Sequence, residues 1–152
     1  MRFRRQGYGF FLINNNTKLV NFSNHFHNYF FRFSVVVANG KIFAIGGIGE
    51  LGRACEVLDV ENSPNRWEDI SSMNYAREGC AAAVFNNHII VSGGHFPNGQ
   101  ITATTEIYDI ETDSWLHAEN MKIPRCRHQL VVIPRDDIEE SAADSVLKKY
   151  SF

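Results

Sequence analysis

The chain has 152 residues, 44% of them hydrophobic and 21% charged, with a formal net charge of −2 at pH 7. That length supports one ordinary domain with a core of its own. Both signs of charge are scattered, which excludes an electrostatic case for nucleic acid or an anionic membrane surface as partner.

At the N-terminus, MRFRRQGYGFFLINNNTK begins with basic residues like a secretory leader. Its apolar part, Tyr8 to Ile13, is shorter than the ~7–15 residues such a leader needs, and Asn14 to Asn16 close it without a small-residue cleavage site. No run approaches the ~18 apolar residues of a membrane helix. The expectation is a soluble, cytoplasmic chain, in which the sequons at Asn15 and Asn21 are chance matches. Cys55, Cys80 and Cys126 lie far apart with no CxxC, so a zinc ribbon or thioredoxin-type motif is excluded and reduced thiols are expected.

From Ser34 onward the hydrophobic runs are short and strand-like. SVVVA (Ser34 to Ala38) meets KIFAI (Lys41 to Ile45) across Asn39-Gly40, the strongest short hairpin signal. Gly46-Gly47 ends the second run. A third strand closes at Asp59, the turn-rich ENSPNR follows, and a fourth strand is built around Trp67, with Met73 and Arg77 after it. The cycle then repeats. CAAAVF (Cys80 to Phe85) and HIIVS (His88 to Ser92) meet across Asn86-Asn87, Gly93-Gly94 follow, a strand closes at Tyr108-Asp109, and Trp115, Met121 and Arg125 complete the series. RCRHQLVVI (Arg125 to Ile133) starts a third cycle. PRDDIEESAADSVLKKYSF replaces its continuation, and there acidic residues come early, Lys148 and Lys149 late, with Ile138, Ala142 and Val146 on one face, predicting a short helix.

The anchors keep nearly constant spacing. Gly46 and Gly93 are 47 positions apart (93 − 46), Trp67 and Trp115 are 48 apart (115 − 67), and so are Arg77 and Arg125 (125 − 77). EVLDV (Glu56 to Val60) and EIYDI (Glu106 to Ile110) are 50 apart (106 − 56). This is an internal repeat, and four short antiparallel strands per period describe a propeller blade. Each glycine pair lets the backbone leave its strand with positive φ and approach neighbouring chain closely. Each tryptophan offers a flat apolar face for stacking one sheet on the next. A nucleotide-loop reading of GGIGELG fails because a strand, ACEVLDV, follows instead of a helix.

At these residues the sequence resembles the Kelch repeat. The anchors that carry the resemblance are Gly46, Gly47, Leu58-Asp59, Trp67, Met73 and Arg77, then Gly93, Gly94, Tyr108, Asp109, Trp115, Met121 and Arg125, with Leu58 standing where tyrosine is usual. The resemblance, closest to the animal Kelch-like proteins, implies an all-β fold: a partial Kelch-type β-propeller with two complete four-stranded antiparallel blades, partial blades at the ends and a short C-terminal helix. The units are residues 1–33, an N-terminal segment readable as the degraded end of a preceding blade with Leu19 in the tryptophan slot; 34–76, the first repeat; 77–124, the second; 125–133, the first strand of a third; and 134–152, the tail. Two blades leave uncovered faces and edges, so the chain reads as a fragment, a shortened product or a partner-dependent half.

The function the resemblance implies is a non-catalytic protein-interaction module. More finely, it implies a piece or relative of the substrate-recognition propeller of a cullin-based ubiquitin ligase adaptor, with an actin-binding Kelch protein as the alternative. No BTB or BACK domain is visible upstream. The implied partners are a protein or peptide on the loop face, and further Kelch blades from a longer chain or an oligomer. The loops after each glycine pair, IGELGRA and HFPNGQITAT, and those before each arginine gather on one face. Arg77, His95 and Arg125 are the expected contact residues, the guanidiniums favouring acidic or polar ligands. The competing role for both arginines is to bridge loop carbonyls within the fold.

Catalytic chemistry finds little support. Gly-x-Ser-x-Gly, HExxH and phosphate-loop patterns are absent. Glu56 and Glu106 occupy equivalent repeat positions, which favours a structural or surface role over acid–base work. Some copper-radical oxidases use Kelch-type propellers, but nothing gives Tyr29, Tyr75, Tyr108, Cys55 and Cys80 the required geometry. His25-Phe26-His27 could place two imidazoles on one strand face, yet no third ligand is assured. His88 and His117 read as edge residues, and His128 as a channel-lining one. The expectation is therefore no catalytic residue, no metal and no cofactor.

Overall fold

The computed structural model describes residues 8–13, 16–21, 32–48, 52–62 and 66–133. Within them lie ten strands and no helix: β1 (Tyr8–Ile13), β2 (Asn16–Asn21), β3 (Ser34–Ala38), β4 (Lys41–Ile45), β5 (Cys55–Asp59), β6 (Trp67–Ile70), β7 (Ala81–Phe85), β8 (His88–Ser92), β9 (Thr105–Asp109) and β10 (Ser114–Ala118). They form a β1–β2 hairpin and two four-stranded antiparallel sheets, β3-β4-β5-β6 and β7-β8-β9-β10. The expected short helix in 134–152, and the His25/His27 pair, fall outside the described residues.

Turn chemistry sets each sheet's register. Asn39 and Gly40 take φ of 51° and 72°, the left-handed pair that a two-residue hairpin loop matched to strand twist requires. In the β7–β8 turn only Asn86, at 53°, is left-handed. Asp59 and Asp109 cap the turns after β5 and β9, each accepting backbone N–H groups two and three residues on. The cross-strand partners confirm the repeat alignment: Trp67 stands opposite Leu58, and Trp115 opposite Tyr108. In the β1–β2 hairpin Leu19 stands opposite Phe10.

Alternation along the strands splits each sheet into two faces. On β3–β6, Phe43, Ile45 and Cys55 face the second sheet and join Ile89, Val91 and Tyr108 in one buried cluster, with Trp115 packed against it. The opposite face carries Ile42 and Leu58, with Trp67 and Val35 against them. Both tryptophans thus face the same way around the stack. Each large aliphatic side chain buried here contributes roughly 1.5–3 kcal/mol, and β3 and β7, the first strands, run beside each other.

The third repeat departs from expectation. Residues 125–133 belong to no sheet, although the sequence predicts the first strand of a blade there. The segment is nevertheless seated: the Arg127 N–H donates to the Gly79 carbonyl at 2.7 Å, as the Gly79 N–H donates to that of Arg32 at 2.8 Å. Arg32, Gly79 and Arg127 all take positive φ, 66°, 65° and 52°, so three successive repeats turn at the same point.

Candidate functional site

The turn just before each first strand, with the loop after each glycine pair, builds one end of the stack. Gly47 and Gly94 donate their N–H groups to the carbonyls of Arg77 and Arg125, at 3.0 and 2.8 Å. The glycine loops are therefore stitched to the start of the following repeat. A Cβ on Gly46 would lie 2.7 Å from the Arg77 carbonyl oxygen, and one on Gly93 would strike that of Arg125. Only glycine permits this approach.

Arg77 is fully buried, which withdraws it from the partner contacts expected of it. Its guanidinium donates through Nη1 to the carbonyls of Gly93 and Thr104, at 2.9 and 2.8 Å, and through Nε and Nη2 to Glu106 Oε1, at 3.2 and 2.9 Å. Glu106 is equally buried, and its other oxygen accepts the Asn74 backbone N–H and side-chain amide, both at 2.8 Å. Every polar group in this clasp is matched, the condition under which a buried ion pair is tolerated. Arg77 bridges loops and joins the first repeat to the second. Glu106 was legible as structural, because Glu56 holds the same register position opposite Ala44 that Glu106 holds opposite Val91.

His95 lies where a ligand could reach it. Its backbone exchanges N–H···O bonds of 2.8 and 2.9 Å with Glu78, and its Nδ1 is buried with no hydrogen-bond partner. It lines a cavity of about 460 Å³ with Arg32, Glu78, Phe96, Pro97 and Arg127. Arg32 is ion-paired with Glu78. Sequence reading missed Arg32, Glu78 and Arg127. The available signal was that Arg32, Gly79 and Arg127 hold equivalent stations, which only the repeat spacing reveals. Arg125 lies outside the cavity and is exposed, with no side-chain hydrogen bond among the described residues.

The chemistry of the remaining groups is quiet. Burial pushes the Cys55 thiol up to about 12 and raises Cys80 as well, so neither presents a thiolate near neutral pH. Burial raises Tyr108 too, with the Asp113 carboxylate accepting its hydroxyl proton at 2.7 Å. His128 is held below the usual imidazole value by burial and by nearby Arg125, and its Nε2 lies 3.1 Å from the Ser92 hydroxyl. Among the described residues no group of three His, Cys, Asp or Glu side chains comes together to hold a metal. Nor is any helix there long and apolar enough to cross a membrane.

Comparison with known proteins places this geometry. Residues 76–122 match the family profile described as the Kelch motif. An F-box/kelch-repeat protein of Arabidopsis thaliana is 34% identical over 97 residues, covering 61% of this chain and 26% of that protein. The influenza virus NS1A-binding protein homolog of Mus musculus is 38% identical over 103 residues, 66% of this chain and 16% of that protein. Kelch-like protein 41b of Danio rerio is 34% identical over 92 residues, 60% and 14%. The chain thus spans about a quarter or less of the length of these relatives. Among solved structures, the Kelch-type propeller of YjhT superposes with a TM-score of 0.60 at 20% identity, covering 69% of this chain and 32% of that one. Strand order, glycine-loop stitching, the tryptophan positions and the matched profile agree: residues 76–122 carry a Kelch motif, and the two sheets are similar to blades of Kelch-repeat proteins.

Proposed function

We propose that the chain is a non-catalytic Kelch module that grips a protein or peptide in the loop-face cavity between its two sheets. The observation that carries this reading is the concave site itself, with His95 Nδ1 buried and unmatched and the Arg127 guanidinium free of any acceptor among the described residues. The solvent-exposed Arg127 guanidinium is available to an acidic or polar ligand atom, and His95 lines the same cavity. Phe96 and Pro97 supply an apolar wall.

The finer reading is substrate recognition for a cullin-based ubiquitin ligase. F-box/kelch-repeat and Kelch-like names among the relatives support it, and an actin-binding Kelch protein is the alternative. Capture from cell extract, with the wild-type chain beside His95→Ala/Arg127→Ala, tests the site. Proteins retained by the wild type and lost by a variant of unchanged circular dichroism support it; identical captures overturn it. Proteins among the lost ones that are turned over by cullin-dependent ubiquitination favour the substrate-recognition role, and actin the alternative.

A further inference from the structure

Arg32, Gly79 and Arg127 occupy one turn station, 47 and 48 positions apart (79 − 32 and 127 − 79). All three are left-handed, a backbone that glycine adopts freely and that strains other residues. Arginine is held at two of these stations against that strain, and both side chains line the loop-face cavity. Strain of this kind persists where the side chain is used. Glycine at the middle station leaves room for one of them: a Cβ on Gly79 would lie 3.3 Å from Arg127 Cγ.

The residue just before the turn breaks the pattern in the opposite sense. Phe31, Glu78 and Cys126 hold that position in the sequence (78 − 31 = 47, 126 − 78 = 48), so the repeat itself does not demand a carboxylate there. Glu78 is nevertheless fixed in place. Its backbone is bonded in both directions to His95, at 2.9 and 2.8 Å, and its carboxylate is ion-paired with Arg32. The two side chains are 23% and 50% exposed, so the pair stands in the cavity wall open to solvent. The third lining guanidinium, Arg77, is already spent on Glu106 and two carbonyls, while Arg127 is exposed.

We infer that Glu78 is a built-in competitor for the ligand: its carboxylate occupies Arg32 in the free chain, and an incoming acidic group must displace it to use that arginine. The inference rests on the acidic-ligand reading of the cavity and deepens it. An ion pair this exposed is weakly held, so one carboxylate can replace another. A ligand with one acidic group is served by Arg127 alone. A second acidic group gains Arg32 only by releasing Glu78, which sets a threshold favouring ligands with several acidic groups close together.

An acetylated and amidated tetraglutamate peptide, titrated calorimetrically into the full chain at pH 7 and low ionic strength, is the probe. Glu78→Gln is expected to bind it at least about threefold more tightly than wild type, the scale of a partly exposed ion pair. Adding Arg32→Ala to Glu78→Gln abolishes that gain, and Arg127→Ala weakens binding in either background. Circular dichroism monitors the fold, and Glu78→Met, of similar length and uncharged, repeats the comparison if the glutamine variant is unstable. Unchanged or weaker binding by the folded Glu78 variant overturns the inference, as does a gain that survives Arg32→Ala, which would be a diffuse effect of net charge. Binding that depends on Arg127 but not on Glu78 overturns this inference alone. Absence of binding, or binding that neither Arg127→Ala nor His95→Ala weakens, overturns the acidic-ligand reading of the cavity and this inference with it.

Discussion

The two arginine junctions of this chain share a backbone and differ in everything beyond it. At the first, Arg77 lies wholly out of solvent among matched acceptors; at the second, Arg125 stands in water. Side-chain type and local turn are therefore not what makes an arginine structural here. The neighbouring sheet is, because it alone brings the carboxylate and the carbonyls of Gly93 and Thr104.

Truncation separates the two junctions most sharply. Arg77→Ala leaves Glu106 charged and buried without its counter-ion, which costs about 3–5 kcal/mol and is expected to unfold the paired sheets. Arg125→Ala removes an exposed side chain and is expected to stay within about 0.5 kcal/mol of wild type. Urea unfolding followed by tryptophan fluorescence measures both. Equal losses would show that the junctions are not the distinct environments described.

The glycines test the stitching next. Gly93→Ala must force a Cβ against the Arg125 carbonyl and the His128 ring in a left-handed backbone, and is expected to cost about 2 kcal/mol or more. Gly40→Ala carries a similar φ, 72°, but meets nothing within 4 Å, so only the conformational cost of roughly 1 kcal/mol applies. A smaller loss at Gly93 than at Gly40 would mean that the glycine loop relaxes away from the following repeat.

Much of this was legible in the sequence. Strand runs, hairpin turns and the alternation of faces are local, and they were readable from Asn39-Gly40, KIFAI and HIIVS alone; β7 starts one residue later than its run suggests. The repeat spacing gave the equivalence of Arg77 with Arg125. It did not give their difference, which depends on a partner twenty-nine positions along the chain, at Glu106, being present for one and not for the other. Nor does a run such as QLVVI announce whether it is paired, since pairing is a property of the other strand. The cavity was hidden for a similar reason. Arg32 and Arg127 are far apart in sequence and meet only through the turns at Arg32, Gly79 and Arg127.

Leu58 and Tyr108 give a milder contrast between the sheets. Both are buried opposite a tryptophan, but only Tyr108 carries a hydroxyl, which donates to Asp113 Oδ1 at 2.7 Å. The same oxygen accepts the Ser71 backbone N–H at 2.8 Å, and Trp115 Nε1 donates to the Ser71 carbonyl at 2.7 Å. The tyrosine thus belongs to a second link between sheets. Tyr108→Phe keeps the ring contacts with Trp115 and loses one charge-assisted hydrogen bond, an expected cost of about 1–2 kcal/mol. A neutral result in thermal melts would move the link onto Ser71 and Trp115 alone.

The pH dependence of that link is the finest discrimination. Burial works against ionisation of Asp113, yet the hydrogen bonds from the Ser71 backbone and the Tyr108 hydroxyl outweigh it and hold the carboxyl below its ordinary value. The unfolded chain therefore binds the proton more tightly than the folded one. Asp113 stabilises fully above about pH 4, and the contribution is lost as pH falls through the folded-state value. Asp59 and Asp109 are also held low, by hydrogen bonds within their own turns, so acid weakens both sheets in wild type and variant alike. Asp113→Asn keeps a residue tolerant of the local φ of 48° and removes only the link's titration. Unfolding midpoints of the two proteins are expected to differ at pH 7 and to converge below pH 4. Midpoint curves that stay parallel down to about pH 2, below the ordinary carboxylate range, would show that the carboxylate charge plays no part in joining the second sheet to the first.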